Sequence, residues 1–138
     1  MLPTTLPPMT TEPAPARAQW TLNQREAWLR SRAARERHAA AQLERAEVIL
    51  ERVAEFYGFR VLAMRSASQA PRLSEARHIA CYLVRKLTGL TYHEIGPLFE
   101  RTGSAISHAC RDISRKLARW PGGSTALAIA QAEQAVRE

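Results

Sequence analysis

Only six glycines stand in 138 residues, and none falls in a G-x-x-x-x-G-K-[S/T] loop, so the chain lacks the phosphate cradle that nucleotide-driven assembly requires. Aromatic residues amount to 7%, too few for a β-rich core, while hydrophobic residues reach 46% through Ala, Leu, Ile and Val. That balance suits a small all-α protein. Two cysteines, Cys81 and Cys110, exclude a disulfide framework and fall on apolar helical faces, as buried thiols in a reducing compartment do. A zinc site needs convergent ligands. His78 and Cys81 have i, i+3 spacing, but His108 and Cys110 are i, i+2 and diverge, so no metal and no cofactor is expected. The four histidines are dispersed, and no Ser-His-Asp or paired-carboxylate arrangement follows from the spacing, which argues against an enzyme. No run approaches the roughly 20 apolar residues of a membrane span, and the first residues have neither a charged nor a continuous apolar segment, so a cytoplasmic location is expected.

Cationic charge is what the chain has in excess. Its formal charge is +7, with an isoelectric point near 10.4. Eleven Lys or Arg face four acids between Arg60 and Arg119, whereas the rest of the chain carries nine of each. The excess therefore belongs to one region, and a polyanion is its natural partner. A merely solvated basic surface is the plainer alternative.

Five of the eight prolines lie within the first fifteen residues, so residues 1–20 read as a disordered Pro-rich tail. Thr21 and Gln24 resemble a capping box opening a helix that runs to about Tyr57 and stops at Gly58. Its two halves differ. Ala46, Ile49, Leu50, Val53, Phe56 and Tyr57 form an apolar stripe, whereas residues 21–45, with Arg25, Arg30, Arg32, Arg35 and Arg37, form a basic extension that is either solvated or a partner surface. A loop is expected from Ala63 to Leu73, followed by a helix capped by Ser74 with Ile79, Ala80, Leu83, Val84 and Leu87 inward and Gly89 after its end. Thr91 and Glu94 form a second capping box, opening a short helix to about Phe99 with Ile95 and Phe99 inward. "ERTG" reads as a turn. The next helix starts at Thr102 or Gly103 and turns Ile106, Ala109, Cys110, Ile113 and Leu117 inward. "WPGGS" ends it, and a last helical segment occupies part of residues 121–138.

A capped short helix, a turn and a longer helix make a helix-turn-helix. With the apolar stripe inward, Ser104, Ser107, His108, Arg111 and Arg115 share the outer face, polar in its first turns and basic later. That order suits base-edge contacts followed by phosphate contacts. For His108, a hydrogen bond inside the domain is an equal alternative.

The detailed residues go further. "VAEFYGFRV" at 53–61, "RHIACYLVRKLTGLT" at 77–91, "EIGPLF" at 94–99 and "HACRDI" at 108–113 make the chain resemble the C-terminal DNA-binding domain of the bacterial replication initiator DnaA, over roughly half its length and as a free-standing relative. The resemblance implies a small helical bundle with a Trp-repressor-like helix-turn-helix over residues 46–120, preceded by a long N-terminal helix. It implies duplex DNA as partner, with Thr102, Gly103, Ser104, Ser107, His108, Arg111 and Arg115 on the recognition helix. Arg65, Gln69, Arg72, Arg77 and Arg85 are its candidates for backbone and minor-groove contacts. Where the family has an Asp-His-Thr-Thr base-reading stretch, this chain has Thr102, Gly103, Ser104 and Ala105 after a turn one residue shorter. Gln69 stands where an arginine would enter the minor groove, a position at which Gln gains little. Two functions remain open: control of replication initiation or transcription by DNA binding, without ATPase activity, or an adaptor that contacts DnaA or its regulators through the N-terminal helix. Membrane binding is a weaker third.

Overall fold

The structure, a computed structural model, describes residues 16–138. The expected tail therefore lies largely outside the described residues. The described residues contain six α-helices and two short 3-10 turns, and no strand. The chain divides into two units, Met1–Arg37 and His38–Glu138.

In the first unit a 3-10 turn, Arg17–Gln19, precedes α1, Leu22–Tyr57, whose first part it contains. The capping box at the start of α1 is present as expected. The Thr21 amide donates to Gln24 Oε1 at 2.8 Å, and the Gln24 amide donates to Thr21 Oγ1 at 3.2 Å. None of residues 16–37 is buried.

The second unit holds the core. Burial on α1 begins at Ala46 and follows Ile49, Leu50, Val53, Ala54 and Tyr57, a helical i, i+3, i+4 progression. Phe56, expected inward, is exposed and Ala54 takes its place, because at 100° per residue position 56 falls off the stripe whatever its hydrophobicity. Gly58 ends the helix in the left-handed region at φ +78°. The expected loop from Ala63 is shorter than it read. Val61–Met64 forms a single helical turn, α2, that buries Met64, and α3 runs Pro71–Leu87 with Ala70 rather than Ser74 as N-cap. Pro71 supplies the helical φ at a position whose N–H has no intrahelical partner, so α3 begins three residues before Ser74.

α3 is the central element, burying Leu73, Ala76, Arg77, Ile79, Ala80, Cys81, Leu83 and Val84. α4, Tyr92–Ile95, opens with the expected Thr91–Glu94 box and continues as a 3-10 turn, Gly96–Phe99, which buries Leu98 and Phe99. α5, Gly103–Arg119, lies against α3 and α4, and α6, Ser124–Arg137, packs on α5 and α3 through Ile129 and Ala132. Lys86 and Glu133, 3.1 Å apart, add an ion pair between α3 and α6. Both cysteines are buried and unpaired. Burial drives the Cys81 thiol far above its usual range and pushes Cys110 up to about 11, so neither is a nucleophile at neutral pH.

A candidate nucleic-acid interface

The turn between α4 and α5 is tight because two glycines let backbones meet. A Cβ on Gly96 would lie 2.5 Å from the Arg101 carbonyl oxygen, and one on Gly103 would lie 3.2 Å from the His93 backbone. Glu100 between them adopts the left-handed region at φ 54°, a cost the surrounding packing sustains. Thr102 is the N-cap of α5, its Oγ1 accepting from the Ala105 amide at 3.2 Å. Thr102 and Gly103, expected on the reading surface, are thus engaged in building the turn.

From there α5 sorts its residues as its period dictates. Ile106, Ala109, Cys110 and Ile113 are buried, while Ser104, His108, Arg111 and Arg115 are exposed and Ser107 is half-buried. His108 forms no hydrogen bond with another described residue. Asp112 is tied down at the side of this face, 3.1 Å from His78 Nδ1 on α3 and 3.2 Å from Lys116 Nζ. Burial alone would raise its carboxyl, but the hydrogen bonds from His78 and Lys116 hold it below the usual range. Arg115 lies 4.0 Å from Asp112 and is otherwise in solvent, and Arg111 is exposed and forms no ion pair or hydrogen bond with another described residue.

The cations outside α5 divide by what they touch. Arg77, expected to face the DNA backbone, is 6% exposed. Its Nε donates to the Met64 carbonyl at 2.9 Å, and its Nη2 donates to the carbonyls of Ser66 and Ser68 at 3.0 and 3.2 Å. The guanidinium is thereby turned into the segment after α2, and burial, then Arg101, lowers its pKa. Arg101 completes the arrangement from the other side. Its Nη2 donates to Ser66 O at 2.6 Å and its Nη1 to Arg65 O at 3.3 Å, while Arg65 Nε returns a bond of 2.8 Å to Leu98 O. The turn of the helix-turn-helix and the loop before α3 are therefore laced together by three arginines through backbone carbonyls. The tip of that loop, residues 67–70, is exposed and carries only Ala67, Ser68, Gln69 and Ala70. Arg72 is exposed and donates to Tyr57 O at 3.3 Å. Arg85 donates to Leu90 O and lies 4.8 Å over the Tyr92 ring, with its side chain exposed at the end of α3.

Arg101 did not stand out in the sequence, where "ERTG" reads as a plain turn; only an arginine flanked by turn formers hinted at it. No group of three or more metal-binding side chains gathers among the described residues. No described helix is long and apolar enough to cross a membrane.

Comparison with known proteins converges on the same segment. The family model described as bacterial dnaA protein helix-turn-helix matches residues 46–113. The chromosomal replication initiator protein DnaA 1 of Protochlamydia amoebophila is 33% identical over 72 residues, covering 52% of this chain and 16% of that protein. The corresponding DnaA of Methylacidiphilum infernorum is 37% identical over 76 residues, 54% of this chain and 17% of its own. That of Paraburkholderia phymatum is 38% identical over 69 residues, 49% and 13%. The chain thus spans less than a fifth of the length of these relatives. Over residues 46–113, which include every helix from the buried part of α1 to the exposed face of α5, the chain belongs to the bacterial DnaA helix-turn-helix family.

Proposed function

We propose that this protein binds double-stranded DNA, with the outer face of α5 in the major groove and the loop at 67–70 directed to the adjacent minor groove, and that it acts in the control of replication initiation or transcription without an ATPase of its own. One observation carries the reading. Ser104, Ser107 and His108 in the first turns of α5, then Arg111 and Arg115, line one face of a helix whose opposite face buries Ile106, Ala109, Cys110 and Ile113 and half-buries Leu117. Short polar groups reach base edges, and guanidiniums further along reach phosphates. The charge supports it, since the whole excess of +7 lies between Arg60 and Arg119. Such a protein belongs on the nucleoid.

Within this reading the candidates take different parts. Ser104, Ser107, His108 and Arg111 contact bases or their phosphates, Arg115, Arg85 and Arg72 neutralise phosphates, and Gln69 stands at the loop tip. Thr102, Gly103, Arg65 and Arg77 hold the geometry. A minor-groove tip of Ala, Ser and Gln offers little to the negative potential there, so specificity rests on α5.

Selection of duplexes from a random library by the purified full chain tests the proposal. A defined motif is expected, lost in Arg111→Ala, and log K should fall with log salt at a slope near −5 if about five or six phosphates are neutralised. Absence of duplex binding at low salt would remove the reading. An adaptor role through residues 16–37 is a second reading, favoured by an aromatic cluster there that the core does not use.

A further inference from the structure

The first unit carries a surface that its fold does not explain. The 3-10 turn at Arg17–Gln19 brings the chain back so that the Trp20 ring meets Trp28 edge-on, with centroids 5.8 Å apart and planes at 61°. Arg17 and Arg32 lie over the Trp28 ring at 4.5 and 5.3 Å from its centroid. Arg25 reaches from α1 to the Ala18 carbonyl at 3.5 Å, and the Thr21–Gln24 box fixes the corner. Between turn and helix lies a cleft of about 320 Å³ lined by Arg17, Ala18, Trp20, Arg25, Trp28 and Leu29. Leu29 is 56% exposed and Leu22, nearby on the same helix, 72%.

Leu22 and Leu29 are exposed beside the half-buried Trp28, so the mouth of the cleft presents apolar surface to solvent. Charge selects the partner. Residues 16–37 contain six arginines against Glu26 and Glu36, and Glu36 is already paired with Arg32 at 2.9 Å. A guanidinium presents a fork of N–H donors that fits a carboxylate bidentately. Nucleic acid fits less well, because base stacking needs an open ring face and two guanidiniums occupy the Trp28 ring. What remains is an apolar slot rimmed by cations.

We propose that the Trp20–Trp28 cleft docks an acidic amphipathic segment of another protein, an aliphatic side chain entering between Trp28 and Leu29 while flanking carboxylates bind Arg17 and Arg25. The mode is the helix-in-groove recognition used wherever a few apolar anchors and a charged rim suffice. The inference does not rest on DNA binding, since every residue it uses lies in the first unit.

The test is fluorescence anisotropy of the full chain with a labelled synthetic helical peptide bearing Leu on one face and Glu on the other. Two companion peptides carry Lys in place of Glu, or Ala in place of Leu. The Leu/Glu peptide should bind and the other two should not, and Trp28→Ala or the charge reversal Arg17→Glu should weaken binding by at least about tenfold. Circular dichroism and duplex binding should stay unchanged in both variants, because neither residue supports the core. Failure of the Leu/Glu peptide to bind overturns the proposal, as does binding that survives both variants. Stronger Trp28-dependent binding to single-stranded DNA or to anionic phosphatidylglycerol vesicles overturns it equally, and would assign the cleft to those ligands.

Discussion

Replacing Arg77 by alanine separates two roles that the same arginine can have. Its side chain is 6% exposed and spends its donors on the carbonyls of Met64, Ser66 and Ser68. In Arg77→Ala, Ser66 O keeps the Arg101 Nη2 at 2.6 Å, and Ser68, being exposed, can turn to water. Met64 is buried, and its carbonyl loses its charged donor with nothing to replace it. A charge-assisted bond contributes about 1.5–3 kcal/mol and an orphaned buried acceptor costs about 1–3 kcal/mol, so a loss of about 2–4 kcal/mol is expected. For a domain of this size that lowers the melting temperature by about 8 °C or more. Arg77→Lys should fall between, because one ammonium cannot span three carbonyls. Thermal and urea melts followed by circular dichroism measure it. If Arg77→Ala melts with the parent protein and only shortens the salt slope of duplex binding by about one contact, Arg77 is a phosphate ligand and the structural argument fails.

Three other perturbations probe the same scaffold. Gly96→Ala puts a methyl 2.5 Å from the Arg101 carbonyl, a backbone atom that cannot swing away, so it should destabilise by about 1–3 kcal/mol in urea melts and weaken duplex binding by displacing the turn. Tyr57→Phe should stabilise by about 1 kcal/mol in the same assay, because the buried hydroxyl has no hydrogen-bond partner among the described residues and burial, with Glu75, pushes its pKa up to about 12. Asp112 has a lowered pKa, so its contribution is complete above the unfolded carboxyl value and disappears as pH falls through the lower folded one; melts of wild type and Asp112→Asn should therefore differ by a constant amount above about pH 5 and converge below about pH 4.

Much of the fold was legible because its signals are local. Thr21 with Gln24 and Thr91 with Glu94 each bond three residues along the chain, so spacing alone announces these two helix starts. The inward stripes of α3 and α5 were legible for the same reason. Pro71 was hidden by convention: a proline reads as a break, yet at the first helical position it is a start. The face of α5 emerged from periodicity, and the helix-turn-helix family from quoted residues that the matched segment contains.

What stayed hidden depends on distance along the chain. Arg77 and Arg101 are both arginines in a basic region, and only the fold shows that their partners include carbonyls 9 to 36 residues away. An exposed and a buried arginine look identical in sequence. Gly96 lay unremarked inside the short helix and Gly103 read as part of a plain turn, whereas both act sterically, admitting the Arg101 and His93 backbones. The Trp20–Trp28 pair escaped notice because a short 3-10 turn, not helical periodicity, brings Trp20 onto the helix.

The central claim is that the outer face of α5 meets DNA. Amide chemical-shift mapping tests it most directly, with the isotopically labelled full chain titrated with a short random-sequence duplex at low salt. Shifts should concentrate on residues 102–111 and on the loop at 65–70, and should fade as salt is raised. Shifts confined to residues 16–37 or to α6, with the amides of α5 undisturbed, would contradict it.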